Sequence, residues 1–450
     1  MSHYPSFTRI QRSWPLWAAV AAGALLLMLP AFYNGYPLLN PDDGTYISSG
    51  FLPETPNDRP IIYGLLLRVF SFNGVSLWLA LCFQAYIVSW LVFRIAQHIT
   101  GKKLWIPLLV TCLPAVISTL SWKVSELIPD VFTAIALMCI MLIVAGLESK
   151  PVTVCLYVLY FIAVATHMSH VMIFAILLVA LLFFYRRIPA PAGVRPCRRI
   201  LLLLFLTLAT IAVMGSALSK SRHVFTIGAL QTRGVLKPIL DDKCQTEHFK
   251  LCAYKDALPA DANEFIWNNN SPLYKEGGWE AVKDEYNRII HISYTEPKYI
   301  KLQVRSSVRY TLKQLCDFRI GDGNWASPPG DYLYETIHTY LPHELRAFEK
   351  ARQNTGRLQV SLSAPMHMLT IVLLASLAVL AVVVIIWKRK TGRLFIFWLL
   401  LSSLCLLLNA WSCGTFSQVN GRYGGKMIWL PVLNALLALV LVARPPKVRH

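Results

Sequence analysis

The residues best placed to do chemistry lie in a short charged segment, residues 40–59, which reads NPDDGTYISSGFLPETPNDR and follows the first long apolar block. The segment contains two adjacent carboxylates, Asp42 and Asp43, and it ends in the basic residue Arg59. Carboxylates at a membrane surface are costly to place, so they mark a candidate functional site. We predict that this loop lies just outside a membrane and carries a catalytic carboxylate.

Asp42 is the predicted general base. A carboxylate at a dry interface is expected to hold a proton more tightly than one in water, and it could take the proton from an attacking sugar or lipid hydroxyl. If the segment is helical, Asp42 and Tyr46 share a face, so that the ring would wall the carboxylate. The alternative role is capping, in which Asp43 would cap a short helix.

A second candidate group stands near the end of the chain, in the stretch GRYGGKMIWLP at residues 421–431. At an outer membrane surface, Arg422 and Lys426 suit a lipid phosphate, because Arg presents a planar fork to the oxygens and Lys a point charge. Tyr423 is expected to line the same cavity. Snorkelling to the interface is the alternative role for Lys426. The neighbouring glycines would let the backbone approach a ligand closely.

Two short loops between apolar blocks hold further candidates for the substrate cavity, namely Lys123, Glu126, Asp130, His167 and His170. The three charged residues lie in the segment SWKVSELIPD, for which a solvated loop is the alternative. The two histidines would share a helix face, but two ligands do not make a metal site. We predict that they contact sugar hydroxyls or phosphate, with an ordinary interface turn as the alternative. The sequence indicates no cofactor, and it leaves a divalent metal open.

A long hydrophilic stretch contains both cysteines and exposed aromatic residues. Cys244 and Cys252 are separated by seven residues, and outside the cytoplasm a disulfide between them is the default expectation. A bridge between Cys316 and Cys413 would tie this stretch to the last outer loop, and the sequence leaves that pairing open. The run GDGNWASPPGDYLYETIHTY, residues 321–340, is rich in aromatic and turn residues. We predict that it binds the acceptor by stacking on sugars, with plain loop packing as the alternative.

The elements that must position these residues are membrane helices. The chain of 450 residues is 55% hydrophobic with a mean hydropathy of +0.49, above the range of ordinary soluble domains. Its apolar blocks are long enough to cross a hydrocarbon core of about 30 Å as helices. The net charge of +19 collects largely at the ends of these blocks, which favours lipid head groups over nucleic acid as the anionic partner.

We predict about ten transmembrane helices, together with an interfacial helix over residues 60–70 on the outer surface. The predicted spans are residues 14–33, 75–93, 104–120, 131–147, 152–165, 171–185, 200–218, 366–387, 394–410 and 427–442. Basic residues favour the cytoplasmic side of a membrane. Arg9 and Arg12, the loop 186–199, the run 388–390 and the tail 444–450 therefore place both termini in the cytoplasm.

This topology divides the chain into three parts. Residues 1–218 form an N-terminal transmembrane module with a catalytic outer loop at 34–73. Residues 219–365 contain no apolar block long enough to span, and they form an extracytoplasmic domain of α or α+β type. Residues 366–450 form the C-terminal transmembrane helices. The resulting fold class is an all-α membrane protein with one inserted outer domain.

The first outer loop resembles that of the GT-C class of membrane glycosyltransferases. The resemblance rests on PDDGTY and on the Asp-Arg-Pro-Ile-Ile-Tyr that opens the interfacial segment, supported by the late Arg-Tyr. The closest likeness is to the group of lipid A aminoarabinose transferases, protein O-mannosyltransferases and O-antigen glucosyltransferases. The resemblance implies a GT-C-like bundle with outer juxtamembrane helices. It implies that Asp42 is the catalytic aspartate, Asp43 its acidic neighbour and Arg59 a ligand of the donor phosphate.

The predicted function is transfer of a hexose or pentose from a polyprenyl phosphate to an extracytoplasmic glycan, lipid or cell-envelope polymer. Nucleotide sugars are cytoplasmic and the candidate site is not, which points to a lipid-linked donor. Arg59, Arg422 and Lys426 would hold the phosphate, and attack from the opposite face would invert the anomeric centre. The predicted location is the bacterial inner membrane, with a periplasmic site. The alternatives are a flippase or transporter of a lipid-linked glycan, and a polysaccharide polymerase or ligase.

Overall fold

The protein was analysed as a computed structural model, which describes residues 14–52, 54–360, 362–386 and 392–443. Across these ranges the regular structure is helical and no β-strand is present, although an isolated parallel bridge pairs Leu38 with Glu126. The prediction of an all-α protein is therefore confirmed, and α+β structure in the described part of the outer domain is wrong. Arg9, Arg12 and the basic segments 388–390 and 444–450, which carry the predicted orientation, lie outside the described residues.

The N-terminal part of the chain consists of helices joined by short loops. They are α1 (Trp14–Leu27), α2 (Leu29–Asn34), α3 (Asp42–Phe51), α4 (Ile62–Phe70), α5 (Leu77–Thr100), α6 (Trp105–Ile117), α7 (Leu120–Ser125), α8 (Val131–Val144), α9 (Lys150–Ala165), α10 (Met168–Phe184) and α11 (Pro196–Thr232). Every residue of α8 is buried, so this helix runs through the middle of the bundle.

The hydrophilic stretch and the end of the chain are also helical. The helices of the hydrophilic stretch are α12 (Leu236–Glu247), α13 (Ala262–Trp267), α14 (Pro272–Lys275), α15 (Lys283–Thr295), α16 (Pro297–Cys316), α17 (Tyr332–Tyr340), α18 (Leu345–Lys350) and α19 (Arg357–Val360). The last helices are α20 (Ser363–Ile386), α21 (Gly392–Phe416), α22 (Gly421–Gly425) and α23 (Leu430–Val442).

Within the described ranges, six helices are long and apolar enough to cross a membrane, which indicates an integral membrane protein. They are Leu77–Thr100, Met168–Arg187, Pro196–Met214, Ser363–Ile386, Gly392–Phe416 and Gly421–Val442. Four shorter apolar helices stand where the remaining spans are predicted, namely Pro15–Leu27, Trp105–Ile117, Val131–Val144 and Lys150–Ala165. Ten crossings therefore stay a prediction, while six helices satisfy the length requirement.

The hydrophilic segment, called the outer domain after its predicted location, has its own hydrophobic core, and helix α11 enters that core from the apolar segment. Helix α11 continues without a break from the apolar segment to Thr232. The end of this helix contributes Val224, Ile227 and Leu230 to the outer core, where they join residues such as Phe265 and Tyr286. The predicted boundary at 218 thus falls inside a helix, because α11 serves both the membrane module and the outer domain.

The outer loop is held by close packing of α3 on α4. A Cβ atom on Gly50 would lie 2.3 Å from the carbonyl oxygen of Gly64, so the backbones of the two helices touch. Helix α17 packs on the other side of α3, where the hydroxyls of Tyr332 and Ser48 are 2.8 Å apart. Helix α17 therefore packs with α3 in the main hydrophobic core, which contains Leu333 and Ile337 as well as Tyr46.

Candidate functional site

Helix α3 begins at the acidic pair, and the two carboxylates face different surroundings. Asp43 is completely buried, and one of its carboxylate oxygens accepts a hydrogen bond of 2.6 Å from the backbone N–H of Asn40. Acidic side chains in the first turn also suit the positive end of a helix dipole. Asp43 is therefore not the N-cap of α3, a position that Pro41 occupies, but it ties the first turn to the preceding residue Asn40. Burial raises the pKa of the Asp43 carboxyl well above its ordinary value.

Asp42 stands between two guanidinium groups that come from distant parts of the chain. Its carboxylate oxygens lie 3.3 Å from Nη1 of Arg59 and 3.1 Å from Nη1 of Arg422, which is 380 positions later. About a third of the Asp42 side chain, 35%, stays exposed. The tertiary structure therefore brings together the predicted base and two of the three predicted phosphate ligands.

The electrostatics of Asp42 contradict one expectation from the sequence. Burial by itself would raise the pKa of Asp42, but the positive charges of Arg59 and Arg422 outweigh it and hold the pKa well below its ordinary value. The prediction of a raised proton affinity is therefore wrong for the ligand-free site. It was wrong because the sequence could not show that two guanidiniums pair with the same carboxylate.

The position of Arg59 is fixed from several sides. Besides the Asp42 carboxylate, Nη1 of Arg59 donates a 2.9 Å hydrogen bond to the backbone oxygen of Asp42, and Nε donates to Asp58 at 2.9 Å. The guanidinium carbon lies 5.1 Å from the centre of the Tyr46 ring, in cation–π contact. Asp42 and Tyr46 do lie on one helix, as the sequence predicts, and Arg59 covers both.

The late Arg-Tyr turn is built by α22. The side chain of Asn420 caps this helix by accepting a 2.8 Å hydrogen bond from the N–H of Arg422. A Cβ atom on Gly424 would lie 2.0 Å from the carbonyl oxygen of Asp317. This glycine therefore lets the turn approach the outer domain closely. The sequence predicts that the glycines of this turn allow close approach of a ligand, whereas the structure shows Gly424 in close contact with the protein's own backbone.

Asp130 joins the two late basic residues to the second outer loop. Its carboxylate lies 3.6 Å from Nε of Arg422 and 3.7 Å from Nζ of Lys426. Lys426 is buried with 1% exposure. Its Nζ lies 5.7 Å from the centre of the Tyr423 ring, and the guanidinium carbon of Arg422 lies 5.1 Å from the same centre. Lys426 thus faces the protein interior behind Arg422, while Arg422 reaches Asp42.

Lys123 and Glu126 form a buried ion pair. Both side chains are completely buried, and Nζ of Lys123 donates to the Glu126 carboxylate at 2.8 Å and 3.0 Å. The segment that carries them is not a solvated loop, because α7 and the bridge to Leu38 pack it under the first outer loop. Both side chains are sealed in the interior, so their place in a substrate cavity stays a prediction.

The two histidines occupy the start of α10. His170 is completely buried, with hydrogen-bond partners in the Thr133 hydroxyl and the carbonyl oxygen of Ala163, each 2.8 Å away. His167 caps the helix by accepting from the N–H of Ser169 at 3.2 Å. Burial, with a smaller effect of nearby positive charge, lowers the pKa of His167 to about 4. His170 is thus a buried residue held by two hydrogen bonds, and its contact with sugar or phosphate stays a prediction.

One of the two cysteine pairs considered from the sequence is bonded. Cys244 and Cys252 form a disulfide, as the sequence predicts. Cys316 and Cys413, whose pairing the sequence leaves open, are both free. Among the described residues, no three His, Cys, Asp or Glu side chains are grouped so as to hold a metal ion.

A cavity of about 600 Å³ lies next to Arg59, between the first outer loop and the outer domain. Its lining residues are Thr45, Pro56, Asn57, Asp58, Arg59, Lys220, Trp267, Tyr274, Trp279 and Glu280. Sequence reasoning missed the aromatic wall and chose the run 321–340 instead, which supplies no residue to this lining. The missed signal was a cluster of aromatic residues at 267–279, but the sequence does not show which surface they share with Arg59.

Comparisons of this chain with protein-family models, with curated proteins and with solved structures found no match.

Proposed function

We propose that this chain is a membrane glycosyltransferase that moves a sugar from a polyprenyl-phosphate donor to an extracytoplasmic acceptor. The observation that supports the proposal is the meeting of Asp42 with Arg59 and Arg422 beside a cavity. The carboxylate and the two guanidiniums together supply the negative and the positive charge that this reaction needs. Positive charge stabilises a leaving phosphate, and a carboxylate accepts the proton of an attacking hydroxyl.

In the proposed reaction, Arg59 and Arg422 bind the donor phosphate. The bond between the anomeric carbon and the phosphate oxygen breaks, and the phosphate leaves with the electron pair as polyprenyl phosphate. The acceptor hydroxyl attacks the anomeric carbon from the opposite face, forms the new glycosidic bond and gives its proton to Asp42. The configuration at the anomeric carbon inverts, and Asp42 then releases the proton to water.

The lowered pKa of Asp42 has a place in this scheme. Without donor, both guanidinium groups are engaged by the Asp42 carboxylate, which makes Asp42 a weak base. A donor phosphate competes for the same N–H groups, because Arg binds phosphate and carboxylate in the same forked geometry. When the phosphate takes over these contacts, the pKa of Asp42 rises toward its ordinary value. Donor binding thus prepares the base before the acceptor reacts.

The same proposal includes the finer architecture. The six long helices and the four shorter apolar helices together form a ten-helix bundle of the GT-C class in a bacterial inner membrane. Helix α4 is the juxtamembrane helix, both termini are cytoplasmic, and α3 faces the periplasm. Arg422 and Arg59 carry the phosphate, whereas Lys426 acts behind Arg422 through Asp130.

The test is donor turnover by the purified chain in lipid nanodiscs. Undecaprenyl-phosphate glucose, mannose and arabinose serve as radiolabelled donors, and the released undecaprenyl phosphate is quantified with and without a crude envelope glycan as acceptor. Asp42→Asn should lower turnover by about 10²–10⁴-fold, the usual contribution of a general base. Asp256→Asn is the matched control, because Asp256 is exposed on the outer domain and pairs only with Lys237. Near-normal turnover by Asp42→Asn would refute the assignment, and binding of the lipid-linked sugar without turnover would favour a flippase.

A further inference from the structure

The cavity beside Arg59 has two chemically different walls. The first outer loop contributes Thr45, Asp58 and Arg59, whereas the outer domain contributes Trp267 and Trp279 together with Tyr274, Lys220 and Glu280. Its volume of about 600 Å³ lies in the range of sites for small molecules. Neither wall is complete without the other, so the cavity exists only where the outer domain meets the loop that carries Asp42.

The aromatic wall is braced from behind. The rings of Trp267 and Trp279 have centroids 5.9 Å apart, and Phe225 meets them edge-on at 6.3 Å and 5.9 Å. His223 donates to the carbonyl oxygen of Trp279 at 2.7 Å. These contacts hold the two indoles in place, although Trp267 remains 44% exposed. A fixed indole that stays open to solvent offers a flat apolar surface to a ligand.

The polar part of the lining carries no net charge. Two acidic residues, Asp58 and Glu280, balance the charge of two basic residues, Arg59 and Lys220. A balanced set of this kind disfavours polyanions such as nucleic acids. It provides donors and acceptors for hydroxyl groups instead. Flat apolar rings opposite balanced polar groups match a neutral saccharide, whose pyranose rings have C–H faces and hydroxyl edges.

The cavity is also connected to the proposed base. Arg59 lines the cavity and at the same time bonds the Asp42 carboxylate at 3.3 Å. Thr45, another lining residue, stands three positions after Asp42 on α3, so both side chains lie on neighbouring turns of one helix face. A saccharide in this cavity would therefore hold a hydroxyl on the same side of α3 as the carboxylate.

We propose that the cavity is the acceptor site and that the acceptor is a neutral saccharide, which stacks on Trp267 and Trp279. This inference rests on the glycosyltransferase function proposed above. In the reaction, one hydroxyl of the bound saccharide loses its proton to Asp42 and forms a bond to the anomeric carbon, while polyprenyl phosphate leaves. The outer domain thus selects the acceptor, and the membrane module binds the donor.

The experiment measures saccharide binding separately from transfer. The probes are neutral disaccharides with glucose, mannose, galactose and N-acetylglucosamine units, and binding to the full chain in nanodiscs is followed by saturation-transfer NMR. The variants are Trp267→Ala, Trp279→Ala and the conservative Trp267→Tyr. The control is Tyr294→Ala, because Tyr294 is 48% exposed on α15 and lies outside the cavity. Thermal unfolding of each variant monitors folding.

At least one neutral disaccharide should bind, and each alanine variant should weaken its binding by about three- to tenfold, as expected for loss of one aromatic contact. Trp267→Tyr should recover most of the binding, and Tyr294→Ala and Asp42→Asn should bind like the unchanged protein. In transfer assays the alanine variants should raise the acceptor KM with little change in donor KM. If Asp42 is needed for transfer but the alanine variants leave saccharide binding and acceptor KM unchanged, the acceptor site is refuted and the glycosyltransferase stands. If saccharide binding depends on both tryptophans but no donor is turned over, the glycosyltransferase is refuted, and the cavity is a saccharide site without the acceptor role.

Discussion

Arg422 provides the sharpest quantitative prediction, because one side chain reaches both the predicted base and a second acid. Its Nη1 is 3.1 Å from Asp42, its Nε is 3.6 Å from Asp130, and the side chain is only 14% exposed. At 3.1 Å and an effective dielectric constant of about 20, two unit charges interact by about 5 kcal/mol before desolvation. Removing one partner from a buried, hydrogen-bonded charge pair costs about 2–5 kcal/mol in measured systems, and the 35% exposure of Asp42 favours the lower end of that range because solvent screens the charge.

We therefore expect Arg422→Gln to weaken binding of undecaprenyl phosphate by at least about 30-fold, which corresponds to 2 kcal/mol. Acceptor KM should change by less than threefold, because the acceptor cavity does not include Arg422. Arg422→Lys should give an intermediate loss, since it keeps the charge but not the forked geometry. Binding is measured by titrating undecaprenyl phosphate into the protein in nanodiscs, and KM values come from the transfer assay.

Arg288→Gln is the matched control for Arg422→Gln. Arg288 forms an exposed ion pair with Glu247 on the outer domain, and exposed pairs contribute little. The variant should bind undecaprenyl phosphate like the unchanged protein. An unaltered affinity in Arg422→Gln, together with a raised acceptor KM, would refute the placement of the phosphate. A similar loss in Arg288→Gln would show that the effect is one of overall charge.

The remaining predictions concern stability and the support of the site. Because the pKa of His167 is about 4 in the folded chain and about 6.5 when unfolded, stability should fall as pH drops from 6.5 toward 4, by at most about 3 kcal/mol. His167→Gln should flatten this fall in unfolding temperature between pH 7.5 and pH 5, and an unchanged slope would contradict it. Cys244→Ser should destabilise the outer domain by about 2–3 kcal/mol, because it removes the disulfide that closes the short loop to Cys252. Reducing agent should then have no further effect on the unfolding temperature of the variant. Gly424→Ala should lower the free energy of unfolding by about 1–3 kcal/mol and weaken donor binding, because the added Cβ would displace the carbonyl group of Asp317. Donor binding as tight as in the unchanged protein would contradict this prediction.

Several features of the site could be predicted because they depend on residue type and position alone. Asp42, Arg59 and Arg422 are all candidates from the sequence, and the structure brings them into contact. The disulfide between Cys244 and Cys252 followed from local spacing. Each of these inferences needed only the apolar pattern and the side of the membrane.

Other features depended on neighbours that no local pattern reveals. Lys123 and Glu126 looked like loop residues but pair with each other in a sealed environment, since α7 and Leu38 pack around them. The lowered pKa of Asp42 required the approach of two guanidiniums from opposite ends of the chain. Charge and spacing in the sequence do not state which of several basic residues reaches a given carboxylate.

By itself, the sequence determined that the chain is helical, that apolar helices long enough for a membrane dominate it, and that acids and bases collect at a few loops. These properties follow from local composition and period, which act over one or two helical turns. Only the tertiary structure decided that Asp42 meets Arg59 and Arg422, that Asp43 turns inward, and that Trp267 faces the loop across a cavity. The physical reason is that such contacts depend on how whole helices pack, and packing is set by close approaches such as that of Gly424 to Asp317, which local composition does not encode.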